Sequence, residues 1–456
     1  MGAADVGRVG VESGVRRLAP GALVVAVCAV ASFAVLDKGA FFTPASTVVL
    51  VASLCVLAAS WLLAARAEGA VRPEDLVLLA LAGWWLVASR LHGLGAHFAP
   101  LGVSVVGLVA AGVVVRSAPW AWRRVAAIYL VGIGVATSIA GLVGADLRWT
   151  PLALRAQDLW RAAGSLTYSN AAGLLVAVAL LVATDDALAA RWRPLAVAAC
   201  AAGLVATQSR SAVLAAVVGF ALVSRAEFVR NLAAIVMGTL AGLLSVAASA
   251  GPRAHPLALA ASLAILAVCP LADGAVRAHG ARDAALGAVA RRRTALLAAA
   301  GGVLVGVALL AAHVEAARRV DVGSDLGRLH AWRAALDQFA SSWLTGVGAD
   351  RPLAVSPSET TYFAHNEYLQ LLAGGGVVAL GLLGAAAFLI VRRQRATSSG
   401  LPTARAALVA LAVGGLFDFT WHLPAIGLLA GIVLGLAQPA PGSEGDERSP
   451  RGLRTP

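Results

Sequence analysis

Apolar stretches separated by short polar breaks fill most of this 456-residue chain. They fall at about 20–36, 45–64, 75–91, 99–115, 122–143, 170–184, 194–207, 211–224, 231–249, 255–271 and 294–312, then at about 369–391, 404–420 and 423–437. Runs of this length, without period-two alternation, predict helices that cross a bilayer, for which about 20 apolar residues suffice. Only helices or closed barrels satisfy the backbone in hydrocarbon, and the missing alternation favours helices. One long polar stretch interrupts the series, from His313 to about Gly376. Connections longer than about 15 residues are usually functional or disordered. Apolar and aromatic residues recur through this one, so it reads as ordered.

Composition sharpens the class. The chain is 59% hydrophobic and 13% charged, with a mean hydropathy of +0.82, whereas a soluble domain carries about 25% charged residues. Its 48 glycines suit helices packed closely in lipid. The net charge of +12 does not point to nucleic acid, because the basic residues sit in short clusters between apolar runs. Cys28, Cys55, Cys200 and Cys269 all lie inside apolar runs without C-x-x-C spacing. They read as small buried residues rather than disulfide partners or zinc ligands. The expected fold class is therefore all-α, a polytopic membrane protein of about 12–14 transmembrane helices with one long extracytoplasmic loop.

Charge parity orients the bundle. The first apolar run follows Arg16 and Arg17 much as a signal-peptide core would. It is read as an uncleaved helix, because the parity works only if it stays. With the N-terminus inside, 24 of the 36 basic residues fall in inner loops, Arg72, Arg116, Arg123 and Arg393 among them. That bias follows the positive-inside rule. The expected organisation is a cytoplasmic N-terminus (1–18), a transmembrane bundle (19–312), an extracytoplasmic catalytic loop (313–368), C-terminal helices (369–437) and a disordered cytoplasmic tail (438–456).

The outward arginines are not explained by orientation. Arg210 stands in Gln208-Ser-Arg-Ser211, midway along the apolar run 194–224. Inner-type arginines flank that run on both sides, so it must turn back as a hairpin. Each arm then has about 14 residues, or about 21 Å, against about 30 Å of hydrocarbon. Arg210 is expected below the outer surface, where a cation marks a substrate or ion pathway. A snorkelling arginine at a helix end is the bland alternative. A second outward region, Asp146 to Asn170, carries Arg148, Trp149, Arg155, Trp160 and Arg161, followed by Gly164-Ser-Leu-Thr-Tyr168-Ser-Asn170. It is either an interfacial belt or the lining of a sugar or phosphate site.

Within the long loop, Leu329, Trp332, Leu336 and Phe339 recur at helical spacing and predict an amphipathic helix with Arg328 in its first turn. Gly346-Val-Gly348 ends it. These glycines lack the G-K-[ST] of a phosphate loop. Tyr362-Phe-Ala-His365-Asn366-Glu367 then leads into the next span. His313, His330 and His422 are also outward, so the residues alone leave the choice of a catalytic histidine open.

Four separated motifs resemble the O-antigen ligase and polymerase family of bacterial envelope glycosyltransferases. They are Arg161 to Asn170, Ser209-Arg210-Ser211, Arg328…Trp332…Gly346-Val-Gly348, and His365-Asn366-Glu-Tyr-Leu369…Gly374-Gly-Gly376. Phe417-Asp418-Phe…His422-Leu-Pro424 is similar to the family's closing helices. The resemblance covers roughly residues 120–437. It implies a GT-C-like enzyme of the cytoplasmic (inner) membrane, with its active site on the periplasmic, extracytoplasmic face. The donor would be a glycan on undecaprenyl diphosphate, and the acceptor a glycan or lipid-glycan hydroxyl; membrane lipid surrounds both, and no nucleic acid takes part. Arg210 and Arg328 match the family's functional arginines and would bind the donor diphosphate, with His365 as general base. Arg161, Asn170, Tyr362, Asn366 and Asp418 are further candidates for substrate contacts. The outer carboxylates are scattered with no D-x-D pair, so no metal and no cofactor is expected, and direct displacement would invert the anomeric centre. The rival reading is a transporter or flippase of lipid-linked glycans, for which no convincing sequence halves are visible. A purely structural scaffold leaves Arg210 unexplained.

Overall fold

The computed structural model describes residues 3–64, 71–93, 100–156, 159–185, 191–282, 322–349, 351, 353–355, 360–396 and 400–439. Among them lie fourteen α-helices: α1 (Ala3–Leu36), α2 (Ala45–Ala64), α3 (Pro73–Leu91), α4 (Pro100–Ser117), α5 (Trp120–Leu147), α6 (Ser169–Ala183), α7 (Arg193–Ala206), α8 (Arg210–Leu222), α9 (Arg225–Ala247), α10 (Pro256–Arg282), α11 (Val322–Ser341), α12 (Glu367–Ala396), α13 (Pro402–Gly415) and α14 (Pro424–Ala437). Six of them are long and apolar enough to cross a membrane by length and composition. Further apolar helices, α6 to α8, α13 and α14 among them, are shorter. The protein is an all-α polytopic membrane protein, as the apolar pattern predicts. The expected span at 294–312 and His313 lie outside the described residues.

Two small antiparallel hairpins depart from that pattern. One joins β1 (Ala153–Ala156) to β2 (Leu159–Ala162), and the other pairs β3 (Ala354–Val355) with β4 (Thr360–Thr361). The segment expected as one helix over 404–420 also ends early. Helix α13 stops at Gly415, so Asp418 lies in the following turn and not inside an apolar helix.

The chain forms two compact units, Met1–Leu130 with Ala334–Leu408 and Phe419–Pro456, and Val131–Arg333 with Val409–Asp418. In the first unit, α14 packs along α4 through Gly427, Gly431 and Gly435, a G-x-x-x-G-x-x-x-G stripe. A Cβ on Gly427 would run into the Ser104 carbonyl, one on Gly431 into the Leu108 carbonyl, and one on Gly435 into the Val115 side chain. Apolar side chains gain little from meeting each other in lipid, so close backbone approach supplies the attraction.

At one end of this unit the expected loop arginines are buried and paired. Arg116 and Asp75, both fully buried, form an ion pair at 2.5 Å. Arg116 and Arg72 both donate to Gln438 Oε1, at 2.9 and 3.0 Å. Gln438 in turn donates to Glu74 (3.2 Å), which also meets Arg393 at 3.3 Å. Arg123 Nη2 donates to the carbonyls of Gly435 and Leu436, each at 3.0 Å, and to that of Gln438. It therefore caps the C-terminus of α14, where free carbonyls and the helix dipole favour a cation. The ends of α3, α4, α5, α12 and α14 meet in this network. Charge counting read these arginines as inner-loop cations.

In the second unit, α7 packs on α6, α9 and α10, and α8 packs on α6. Gly238 and Gly242 of α9 lie against the carbonyls of Ala198 and Ala202. Arg148, in a left-handed conformation just beyond α5, donates to the carbonyls of Ala145, Ala248 (2.5 Å), Ala250 (3.2 Å) and Arg253 (2.9 Å). It clasps the C-termini of α5 and α9 together.

Gly431→Ala should destabilise the purified protein by about 1–3 kcal/mol, the usual cost of overpacking. Gly132→Ala, whose Cβ would meet open space, should be neutral or slightly stabilising. Thermal unfolding in the same detergent compares the two.

Candidate functional site

The turn between α7 and α8 presents Arg210, and local chemistry sets it. Thr207 turns its hydroxyl back to the Leu204 carbonyl (2.7 Å), Gln208 is left-handed at φ 52, and Ser209 caps α8 by accepting from the Ala212 amide at 3.4 Å. The helical break thus falls where the length of the run predicts it. Arg210 is the first residue of α8 and is exposed. Gly173 of α6 makes room, since a Cβ there would crowd Thr207, Ser209 and Ala212.

Arg161 projects from β2 and spends its donors on this turn. Its Nε donates to the Thr207 carbonyl (3.0 Å), and its Nη2 donates to the Gln208 carbonyl (3.3 Å) and to Asn170 Oδ1 (2.8 Å). The Gln208 side chain answers by donating to the Trp160 carbonyl at 3.2 Å. Asn170 Nδ2 donates to Asp418, and the Tyr168 hydroxyl donates to both Asp418 oxygens at 2.6 and 2.8 Å. Asp418 is fully buried. Three of the sequence candidates, Arg161, Asn170 and Asp418, are therefore one hydrogen-bonded chain.

Electrostatics place two more cations beside it. Burial pushes the Arg161 guanidinium down most, Tyr168 and Asp418 draw it back up, and Arg328 and Arg210 push it down again. Burial first, and then Asp418, push the Tyr168 phenol well up, which keeps its proton available to Asp418. Arg328 is exposed on α11. It lies nearly two turns into the helix rather than in the first turn, because the helix begins at Val322. Arg210 and Arg328 thus lie within electrostatic reach of Arg161, and guanidinium groups are suited to an anion with several oxygens.

His365 belongs to the first unit. It is half-buried in a left-handed conformation (φ 50), edge-on to Phe419 with ring centroids 5.1 Å apart. The loop around it is held from three sides. Asn366 caps α12, its Oδ1 accepting from the amides of Tyr368 (3.0 Å) and Leu369 (3.1 Å). Gln370 accepts from the Ala364 amide at 2.9 Å and donates to the Tyr362 carbonyl at 3.3 Å. Phe363 stacks on Phe419 at 4.3 Å. Tyr362 itself is exposed. Buried Glu367 accepts from the Trp421 amide at 2.5 Å and meets buried His422 at 3.1 Å. The sequence reading placed Glu367, Tyr168 and Gln208 within its motifs but gave none of them a role of its own. Asn366-Glu367 at a helix start was a visible capping signal, but the pairing of Glu367 with residues 420–422 was not.

The glycine motifs serve the backbone. Val347 and Gly348 donate to the carbonyls of Ala373 (2.8 Å) and Gly374 (2.9 Å), so the chain after α11 docks on α12. Gly376, at φ 66, breaks α12 there, and Val377 donates instead to the Trp343 carbonyl at 2.9 Å. Trp84 donates to the Gly375 carbonyl at 2.8 Å.

Residues 195–384 match the O-antigen ligase family model. The match supports assignment to the O-antigen ligase and polymerase family, whose members carry out glycan transfer, and it spans Arg210, Arg328 and His365. No curated protein matches the chain. Among the described residues, no group of three or more His, Cys, Asp or Glu side chains is placed to hold a metal ion.

Glu367→Ala should cost about 1–3 kcal/mol, because the Trp421 amide loses its buried acceptor and His422 its partner. A thermal melt of the detergent-solubilised variant, set against Glu367→Gln as the milder change, measures it.

Proposed function

We propose that the protein transfers a glycan from undecaprenyl diphosphate to an acceptor hydroxyl on the outer face of the cytoplasmic membrane, as an O-antigen ligase or a surface-polysaccharide polymerase. The observation that carries this reading is that Arg210 and Arg328 lie within electrostatic reach of Arg161, which is hydrogen-bonded into the Tyr168–Asn170–Asp418 cluster. As the bond from the anomeric carbon to the donor phosphate breaks, negative charge grows on the leaving diphosphate. Arg210 and Arg328 neutralise it, each able to offer paired N–H donors to phosphate oxygens. His365 takes the acceptor's hydroxyl proton while that oxygen attacks the anomeric carbon from the opposite face, inverting its configuration. Charge compensation by arginine asks for no divalent ion.

The match to the O-antigen ligase model supports glycan transfer in general. Lipid-linked glycan transport is the second reading, favoured by the break in α12 at Gly376, since transporters use interrupted helices.

Single variants and a vesicle assay separate the two. Arg210→Ala and Arg328→Ala should each lower kcat/KM by about 10²–10³, and His365→Ala should lower kcat by about 10²–10⁴. Undecaprenyl-linked glycan should accumulate in all three strains. Undiminished glycan transfer by His365→Ala would remove the proposed base, whereas purified protein that moves lipid-linked glycan across a vesicle membrane without forming any transfer product would make transport the better reading. Activity lost to EDTA and restored by a divalent ion would overturn the metal-free mechanism.

A further inference from the structure

We propose that Arg161 is a positioning residue, a strut that sets the α7–α8 turn and thereby aims Arg210; this rests on Arg210 binding the donor diphosphate. Arg161 carries the same charge as its neighbours and at first sight belongs with them as a phosphate ligand. Its hydrogen bonds say otherwise. Nε and Nη2 are spent on two successive carbonyls, Thr207 and Gln208, and on Asn170. The first belongs to the residue that ends α7 and the second to the turn beyond it, and the residue that follows them caps α8. Gln208 is held in the left-handed region there, which an ordinary side chain adopts only when its surroundings hold it. Its backbone is gripped by Arg161 and its side chain by the Trp160 carbonyl, so β2 holds it at both ends.

The guanidinium is oriented from behind. The amide of Asn170 can offer its oxygen to Arg161 only while its nitrogen faces Asp418, and Asp418 is fixed by the Tyr168 hydroxyl. The carboxylate thus sets the amide, the amide sets the arginine, and the arginine sets the turn. Lysine would keep the charge, but a single ammonium cannot span the same three acceptors from one planar fork.

The test uses the full chain in nanodiscs, with undecaprenyl diphosphate as the binding probe and glycan transfer as the activity. Hydrogen exchange at the amides of residues 209–212 should quicken about tenfold or more in Arg161→Lys, the scale of a lost hydrogen bond to a charged group. It should stay unchanged in Arg210→Ala. Arg161→Lys should raise KM for the donor, and Arg161→Lys/Arg210→Ala should be no worse than Arg210→Ala alone, because the strut acts through Arg210. Asn170→Ser, which leaves both carbonyl bonds possible, should give a smaller quickening and covers the case in which Arg161 variants do not fold. Unchanged exchange in Arg161→Lys, or losses that multiply in the double variant, would make Arg161 a direct ligand and overturn the proposal. Undiminished probe binding by Arg210→Ala would instead sink the functional reading, while the exchange result would still decide whether Arg161 is a strut.

Discussion

A helix that ends or breaks inside a membrane protein exposes carbonyls and amides that lipid cannot satisfy. The architecture of this protein follows from how each such interruption is answered. The end of α14 is answered by Arg123, and the ends of α5 and α9 by Arg148. Arg161 answers the end of α7, and the break in α12 is closed by the backbone around Trp343 to Gly348. Three of these four answers are arginines. A guanidinium reaches several carbonyls at once from a plane, and it meets the negative end of the helix dipole.

That economy gives Arg123, Arg148 and Arg161 a structural reason that charge counting does not supply. It also separates two kinds of arginine in the second unit. Arg161 donates to two backbone carbonyls and to Asn170, while Arg210 and Arg328 are exposed. The first kind ties backbone together, and the second is open to solvent. Asp418 stands behind the first: fully buried, it is hydrogen-bonded by Tyr168 and Asn170.

The helices were legible in the sequence because membrane helices announce themselves by length and apolarity alone. The α7–α8 break was legible too, since 31 apolar residues bounded by inner-type arginines must turn back. The hairpin at 153–162 was not, because its four-residue strands carry no alternation long enough to stand out and depend on Ser249 and Ala250 for pairing. Arg210, Arg328 and His365 could be named from motifs. The partners of Arg161 could not, because they are backbone carbonyls, which every residue carries. Nor could the burial of Arg72, Arg116 and Arg123 be foreseen, since each has an acceptor at Gly435 to Pro439, more than 300 positions further along the chain.

That last separation bears on how the protein is made. Arg72 reaches 366 positions forward, Arg116 322 and Arg123 312, all to the segment around Gln438. None of these bonds can exist until α14 has left the ribosome. Arg116 has its pair with Asp75 only 41 positions back, but the bonds that tie α3, α4 and α5 to the segment around Gln438 close only when the last helix packs its glycines along α4. Assembly of the first unit is thus a terminal event. A chain stopped short of α14 would leave Arg72, Arg116 and Arg123 without the acceptors they find at Gly435 to Pro439.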